Sequence, residues 1–249
     1  MHIYLYDSFV NQKKYNRVLF RLETRLTDLG LNGKICRLGV MQSMASILEN
    51  EIKQGPKTIV AVGNDATIHK VINGLTDYNI PLGFIPVGQE NNSMANSLGI
   101  ELEELACDVL SRRKIEKLDL GIANNFYFLS QASITNQGTT IEINKRYTIE
   151  IMEKGEVNII NLITNTNLPP NTKSTPQDGK LELVINTGGT KKTFTSVSKN
   201  QSFFSFKKLT ILNKNHPLVL DKAVKIPAPV EISIVKKKIS MIVGKSRNF

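Results

Sequence analysis

The sequence lacks the features of a membrane-spanning, secreted or metal-binding chain. No apolar run in its 249 residues approaches the roughly 18 residues that a membrane-spanning helix requires. The segment from Met1 to Asp7 has no basic stretch followed by an apolar one, so we expect no signal peptide. Cys36 and Cys107 lack metal-site spacing, and we expect both to be reduced core residues of a cytoplasmic protein. The three histidines stand alone: His2, His69 and His216.

The charge of the chain is unevenly distributed. Hydrophobic residues make up 41% and charged residues 22%, which is typical of a globular chain with one or two domains. Residues 119–249 carry 18 Lys and Arg against 9 Asp and Glu, whereas residues 1–118 carry 14 against 13. The basic part is expected to meet an anionic partner, either lipid headgroups or a nucleic acid. The alternative is a solvated basic face without a partner.

The first part of the chain alternates short apolar runs with amphipathic segments, which predicts a mostly parallel sheet with helices on both faces. The predicted strands are Ile3–Tyr6, Gly33–Leu38, Thr58–Val62 and residues 82–86. The predicted helices are roughly Lys13–Leu29, a segment capped by Ser43 that ends before Gly55, residues 68–75 and Glu101–Arg113. We place the end of this α/β domain at residue 116.

Residues 117–249 contain short β-rich runs without intervening helices, which predicts a C-terminal antiparallel β-sandwich or bent sheet. The runs are Phe126–Ala132, Thr139–Ile143, Thr148–Met152, Val157–Thr164, Leu181–Asn186, Phe203–Leu212, Val230–Val235 and Ile239–Val243. A loop is expected from Pro169 to Pro176, and turns at Gly188-Gly189 and at Lys236–Lys238. The three lysines are either a solvated turn or a contact for anionic lipid.

The stretch Thr58–Leu75 combines a buried strand, a polar turn and a helix. Thr58–Val62 is apolar at nearly every position, and Gly63–Thr67 interrupts it before apolar residues resume at helical spacing. Such a turn directs several backbone N–H groups toward one point, which favours an anion and most commonly a phosphate. The alternative is an ordinary strand-to-helix turn with Thr67 or Asp65 as N-cap.

A second segment, from Gly83 to Ile100, completes a family pattern. Gly63–Thr67 with Asn73-Gly74-Leu75 resembles the signature Gly-Gly-Asp-Gly-Thr of diacylglycerol and sphingosine lipid kinases and, more remotely, of NAD kinases. Pro86–Asn92 with Leu98-Gly99-Ile100 resembles their second signature, Pro-x-Gly-Thr-x-Asn-Asp. The resemblance implies a nucleotide-binding α/β domain followed by a β-sandwich, with nucleotide and lipid acceptor meeting between the two.

The resemblance also implies roles for individual residues. ATP would be held by Gly63, Asn64, Ala66, Thr67, Gly88, Gln89, Asn91 and Asn92. Asp65 would hold Mg²⁺ directly or through water, and with Asp221 it completes the implied catalytic pair. Asn91 and Asn92 are equally expected as helix caps.

The C-terminal part carries weaker resemblances. Pro176–Leu181 is similar to the Asp-Gly-x-Leu strand start of the family, and Val219–Ala223 is similar to its Asp-Gly-Glu segment. Asp221 would then be the base or orienter of the acceptor hydroxyl, although the neighbouring Lys222 would weaken it as a base. Ser133–Gly138 offers no carboxylate where the family usually has Gly-Phe-Asp.

Several family positions are altered. Asn64 and Ala66 replace glycines; asparagine tolerates left-handed backbone angles, whereas alanine adopts them only at a cost, and its methyl group would crowd a phosphate. Gln89 replaces a threonine and Asn92 an acidic residue. The Asn-Pro-x-x-Gly loop of the family is absent after the first strand, where Asp7 begins a different segment.

Three functions follow from these observations. The first is an ATP-dependent lipid kinase, and the second is a catalytically degenerate member that binds nucleotide or anionic lipid without turnover. NAD kinase-like activity fits less well, because Glu90-Asn91 reverses the Asn-Glu pair of those enzymes. Phe203–Phe206 is expected to be a core strand, so no nucleic-acid partner is expected. The protein would be cytoplasmic or peripheral at the inner membrane surface, with a homodimer left open.

Overall fold

The computed structural model describes residues 1–39, 43–143, 147–164, 174–193 and 196–249. For residues 188–193 and 196–200 it describes the backbone alone. Part of the predicted loop from Pro169 to Pro176 lies outside the described residues. The chain forms two compact units, Met1–Leu118 with Lys237–Phe249, and Asp119–Lys236. The sequence predicts a single boundary, at residue 116. The structure differs because the chain returns to the first unit at Lys237, so that unit contains two separate parts of the chain.

The first unit contains alternating strands and helices. Its elements are β1 (His2–Tyr6), α1 (Asn16–Asp28), β2 (Gly33–Arg37), α2 (Met44–Ile52), β3 (Thr58–Gly63), α3 (Asp65–Leu75), β4 (Leu82–Pro86), α4 (Ser93–Ser97) and α5 (Ala106–Arg112). Short 3₁₀ segments cover Ser8–Asn11, Lys13–Tyr15 and Glu103–Leu105. The helices predicted at Lys13 and at Glu101 therefore begin later than expected, because 3₁₀ turns precede them.

The strands of the first unit form a parallel sheet in the order β2-β1-β3-β4. Every residue of β3 is buried, as expected for a central parallel strand covered by helices on both faces. Tyr6 lies opposite Val62, and Gly63 lies opposite Pro86, so β1, β3 and β4 end at the same edge. This edge contains the polar segments that the sequence singles out.

The second unit is built from antiparallel strands. The chain enters it within β5 (Ile115–Ala123) and leaves it within β16 (Val230–Ile242). Between them lie β6 (Phe126–Phe128), β7 (Gln131–Thr135), β8 (Thr140–Ile143), β9 (Tyr147–Glu150), β10 (Gly155–Ile160), β11 (Leu181–Thr193), β12 (Ser196–Phe206), β13 (Lys208–Leu212), β14 (Leu218–Leu220) and β15 (Val224–Ile226).

Two groups of strands in the second unit share one core. One sheet has the order β12-β11-β10-β7-β14-β15, and β13 pairs with both β8 and β16 in a second set. Leu183 and Ile159 of the first sheet belong to the same hydrophobic cluster as Ile211 and Ile232 of the second set. The predicted fold class, an α/β domain followed by an antiparallel β-sandwich, is therefore confirmed.

Several local predictions were wrong. Lys236–Lys238 is not a turn but lies inside β16, where Lys237 has a positive φ of 50°. Gly188-Gly189 is also no turn, because β11 continues to Thr193. Phe203 and Phe204 of the predicted core strand are 36% and 45% exposed. Within the described ranges, no helix is long and apolar enough to cross a membrane.

Candidate functional site

The polar turn after β3 is tightly packed. A Cβ atom on Gly63 would collide with the side chain of Thr67, so only glycine allows this approach of strand and helix. The carbonyl oxygen of Gly63 accepts a hydrogen bond from the Val87 N–H at 2.7 Å. The first signature segment is thereby joined to the beginning of the second.

Asn64 caps α3. Its Oδ1 atom accepts hydrogen bonds from the N–H groups of Ala66 at 3.1 Å and Thr67 at 3.2 Å. In return, the Thr67 hydroxyl accepts a hydrogen bond from the Asn64 N–H at 3.1 Å. The pair forms a capping box, which satisfies backbone donors that a helix start otherwise leaves open.

The expectations about backbone conformation in this turn were wrong. Asn64 has a φ of −128°, so it adopts extended rather than left-handed backbone. Ala66 lies in the first turn of α3, because the helix begins at Asp65, and it therefore carries no left-handed strain. The alternative N-caps Thr67 and Asp65 are also wrong, since Asn64 holds that position.

Asp65 joins the two signature segments. Its buried carboxylate accepts hydrogen bonds from the N–H and hydroxyl of Ser93 at 2.9 and 2.7 Å, and from the Met94 N–H at 3.1 Å. Its own N–H donates to the Asn91 carbonyl oxygen at 2.8 Å. Asp65 therefore caps α4, a task that the sequence assigned to Asn91 and Asn92.

These contacts limit what Asp65 offers a magnesium ion. Both of its carboxylate oxygens already accept hydrogen bonds from α4, and Mg²⁺ demands an octahedron of closely bound oxygens. Over the described part of the chain, no group of three or more His, Cys, Asp or Glu residues could hold a metal. The hydrogen-bonded Asp65 carboxylate fits poorly with direct coordination of Mg²⁺. It fits better with the other predicted mode, in which a water molecule lies between Asp65 and the ion.

Asp7 is a site residue that sequence analysis did not assign. Its carboxylate accepts a hydrogen bond from the Thr67 hydroxyl at 2.9 Å and lies 3.5 Å from the Lys70 ammonium. Asp7 follows β1, a direct neighbour of β3, and its N–H donates to the Val62 carbonyl oxygen. A polar residue directly after a parallel strand was the available signal.

A pocket of about 340 Å³ opens beside the turn. It is lined by Phe9, Lys14 and Tyr15 on one side and by Asn64 and residues 87–91 on the other. Gly88 has a φ of 86°, and a Cβ atom there would lie 3.3 Å from the Tyr15 hydroxyl. The pocket therefore combines an ammonium group, an aromatic ring and several amide groups next to the predicted phosphate turn.

The remaining predicted residues of the second signature differ in environment. The side chains of Gln89 and Asn91 are exposed, and Asn91 has a positive φ of 59°. Asn92 is buried, and its Nδ2 group donates to the Gly88 carbonyl oxygen at 2.7 Å. Its Oδ1 atom has no hydrogen-bond partner among the described residues. Asn92 thus presents an unused acceptor beside a pocket-lining backbone.

Asp221 lies in the second unit and is held by backbone groups. Its buried carboxylate accepts hydrogen bonds from the N–H groups of Leu129, Ser130 and Gln131 at 2.9, 2.8 and 3.0 Å, and from the Ser130 hydroxyl at 2.8 Å. Asp221 and Lys222 both have positive φ values, as in a tight turn. The geometry is that of a structural acceptor, because both carboxylate oxygens are engaged by the segment from Leu129 to Gln131.

The Asp-Gly-x-Leu resemblance in the second unit also has a structural basis. Gly179 has a φ of 72°, and its N–H donates to the buried Asp119 carboxylate at 2.7 Å. Glu182 is the second residue of β11, and its burial, followed by the nearby Asp178 charge, raises its pKa to about 7. Its Oε2 atom has no partner among the described residues.

Comparisons with known proteins agree with the two-signature geometry. A family model described as the diacylglycerol kinase catalytic domain matches residues 3–123. The chain is 40% identical over 78 residues to a diacylglycerol kinase of Bacillus subtilis (strain 168), covering 30% of this chain and 25% of that protein. A diacylglycerol kinase of Staphylococcus saprophyticus is 32% identical over 132 residues, covering 52% and 43%.

A solved structure of a diacylglycerol kinase from Bacillus anthracis str. Sterne has the same fold. It aligns with a TM-score of 0.77 and 18% identity over 98% of this chain and 97% of its own. The sequence matches, by contrast, cover only 25% of the Bacillus subtilis relative and 43% of the Staphylococcus saprophyticus relative. Residues 3–123 of this chain are therefore similar to the diacylglycerol kinase catalytic domain, with altered residues at several signature positions.

Proposed function

We propose that the protein is an ATP-dependent lipid kinase that phosphorylates a hydroxyl group of a diacylglycerol- or sphingoid-like lipid. The observation that carries this proposal is the hydrogen bonding between the two signature segments. Asp65 of the first segment accepts from Ser93 and Met94 and donates to Asn91 of the second. A nucleotide site requires both segments at one place, and these contacts hold them there.

The pocket beside Asn64 provides groups that suit a nucleotide. ATP would supply a transferable γ-phosphoryl group, whose charge is neutralised by cations in phosphoryl-transfer sites. Lys14 offers an ammonium group, and α3 begins at the pocket with its partial positive charge. The exposed side chains of Gln89 and Asn91, which line the pocket, offer amide groups for a hydroxyl or amino group. Asp65 would contact the nucleotide-bound Mg²⁺ through water.

A second candidate is a member of the family that binds nucleotide or anionic lipid without turnover. The environment of Asp221 favours it, because four hydrogen bonds from Leu129, Ser130 and Gln131 already engage both oxygens of this carboxylate. A carboxylate held in this way is poorly placed to accept a proton from an acceptor hydroxyl, so transfer would be slow even with nucleotide bound.

One experiment separates the candidates. Mg-ATP is titrated calorimetrically into the wild type, Asp65→Asn and the control Asp77→Asn, whose side chain is 84% exposed. The same proteins are then assayed for phosphate transfer to diacylglycerol and sphingosine in mixed vesicles. We expect binding and transfer by the wild type and the control, and loss of both in Asp65→Asn. Binding without transfer would leave the second candidate, and no binding at millimolar nucleotide would exclude both nucleotide-binding functions.

A further inference from the structure

In the turn Gly63–Thr67, where the sequence predicts a phosphate, each backbone N–H group from residue 64 to residue 67 donates a hydrogen bond within the protein. The N–H of Asn64 donates to the Thr67 hydroxyl, and the N–H of Asp65 donates to the Asn91 carbonyl oxygen. The N–H of Ala66 donates to Oδ1 of Asn64, and the N–H of Thr67 is shared between that atom at 3.2 Å and the Asn64 carbonyl oxygen at 2.9 Å. No N–H group from residue 64 to residue 67 therefore points to an unoccupied position.

Only one of these acceptors can be exchanged for a ligand without disturbing the fold. The Asn91 carbonyl oxygen is fixed backbone, and the Thr67 hydroxyl is held by the buried Asp7 carboxylate. The Asn64 side chain, in contrast, is half-buried and lines the pocket beside the turn. A group that enters the pocket meets the Asn64 carboxamide directly in front of the Ala66 and Thr67 N–H groups.

The chemistry of this position matches that of a phosphate oxygen. A carboxamide oxygen accepts two N–H bonds as a neutral group, whereas a phosphate oxygen would make charge-assisted bonds with the same donors. The family signature has glycine at this position, so the acceptor is specific to the present sequence. The side chain supplies internally what a bound nucleotide would supply from outside.

We infer that the Asn64 side chain covers the N–H groups of the turn, that of Ala66 completely and that of Thr67 in part, and must rotate away before a phosphate binds there. Asn64 is then the residue that sets the affinity of the site for polyphosphates. This inference rests on the proposed nucleotide site and adds to it a residue that opposes binding. The free energy of one helix cap corresponds to an affinity change of about two- to thirtyfold.

Two variants at this position, compared with the wild type, test the inference. Tripolyphosphate and Mg-ATP are each titrated into the wild type, Asn64→Gly and Asn64→Asp, and the unfolding of each variant is measured in urea. We expect Asn64→Gly to bind at least threefold more tightly although it is no more stable than the wild type. Asn64→Asp, which keeps the cap and adds a negative charge, should be at least as stable and bind more weakly.

A control separates loss of a cap from exposure of the turn. Asn213 in the second unit also accepts hydrogen bonds from two consecutive N–H groups, those of Asn215 and His216, both at 2.8 Å. Asn213→Gly should lower stability and leave polyphosphate affinity unchanged. Equal or weaker binding by Asn64→Gly than by the wild type would overturn the inference.

The outcomes for the inference and for the proposed function are distinct. If the wild type binds Mg-ATP and Asn64→Gly binds no tighter, the kinase proposal stands and the inference fails. If the wild type does not bind but Asn64→Gly does, the inference stands and the natural protein is no ATP-dependent enzyme. If neither binds either ligand, both fail, because uncovered N–H groups should then have bound tripolyphosphate.

Discussion

The Asp7 carboxylate accepts a hydrogen bond from the Thr67 hydroxyl at 2.9 Å and so contacts the turn Gly63–Thr67, where the sequence predicts a phosphate. A buried negative charge at this position opposes the binding of an anion. The Lys70 ammonium, 3.5 Å away, compensates part of that charge. The balance between these two groups, together with the Asn64 cap, governs the electrostatics of the turn.

Replacing Asp7 by Asn is therefore expected to strengthen polyphosphate binding. The carboxamide keeps an acceptor for Thr67 and removes a charge whose repulsion is on the order of 1 kcal/mol at a partly solvated site. Calorimetric titration of Mg-ATP should show a gain of about fivefold that shrinks at high salt. Lys70→Met should have the opposite effect, and equal affinities in all three proteins would contradict this account.

Asp65 is expected to matter for stability as well as for binding. Its carboxylate accepts three hydrogen bonds from Ser93 and Met94, and Asp65→Ala would leave those donors unsatisfied. We expect a loss of about 1–3 kcal/mol in the free energy of unfolding, measured in urea. Asp77→Ala should stay within about 0.5 kcal/mol of the wild type, because that side chain is exposed. A similar loss in both variants would refute the capping role.

Much of the fold could be predicted from local patterns. The apolar run Thr58–Val62 and the helical spacing from Ile68 to Leu75 are strong signals, because period and burial agree in each. The turn between them was predicted as an anion site because its backbone N–H groups were expected to point in one direction. The structure places both signature segments together, and that proximity follows from parallel strands whose carboxyl ends share one edge.

The errors arose where the outcome depends on side-chain geometry, local or distant, that residue types alone do not show. The capping box of Asn64 needs Thr67 in helical geometry, whereas the sequence suggested a left-handed backbone for the same residue. The bond between Asp7 and Thr67 joins residues sixty positions apart. Lys236–Lys238 looks like a turn by composition, but the lysine side chains can extend from a strand to solvent or, for Lys238, to Asp77.

Glu182 gives the protein a specific dependence of stability on pH. Its pKa is raised in the folded state from the ordinary 4.5 to about 7, mainly by burial, so the folded protein binds more protons than the unfolded chain between these values. The free energy of unfolding is therefore expected to fall as pH rises from 4.5 to 7, by roughly 3 kcal/mol, and to level off above 7.

Urea unfolding at pH 5 and pH 8 tests this expectation. Glu182→Gln should flatten the difference, because a neutral amide of similar size has no proton to lose. It should also be more stable than the wild type at pH 8. Glu156→Gln on the neighbouring strand β10 is the control, since Glu156 is exposed. An unchanged pH dependence in Glu182→Gln would assign the effect to other groups.

The basic second half of the chain is expected to bind anionic membranes. In the second unit, a pocket of about 330 Å³ is lined by Lys180, Ser205, Phe206 and Lys207, and both lysines are exposed. Phe204 lies two residues before Phe206, on the same face of β12, and its 45% exposed ring is placed to enter the interfacial region of a bilayer. A lysine near an anionic surface contributes about 1 kcal/mol to binding.

Cosedimentation with phosphatidylglycerol vesicles checks this surface. Replacing Lys180 and Lys207 together by Gln should weaken binding by about tenfold or more at low salt, and binding by the wild type should fall as salt increases. Lys53→Gln with Lys57→Gln removes the same charge from exposed positions of the first unit and should have a smaller effect. Equal losses in both pairs would show that net charge, and not this surface, determines membrane contact. Binding to neutral phosphatidylcholine vesicles at the same strength would exclude the electrostatic mechanism.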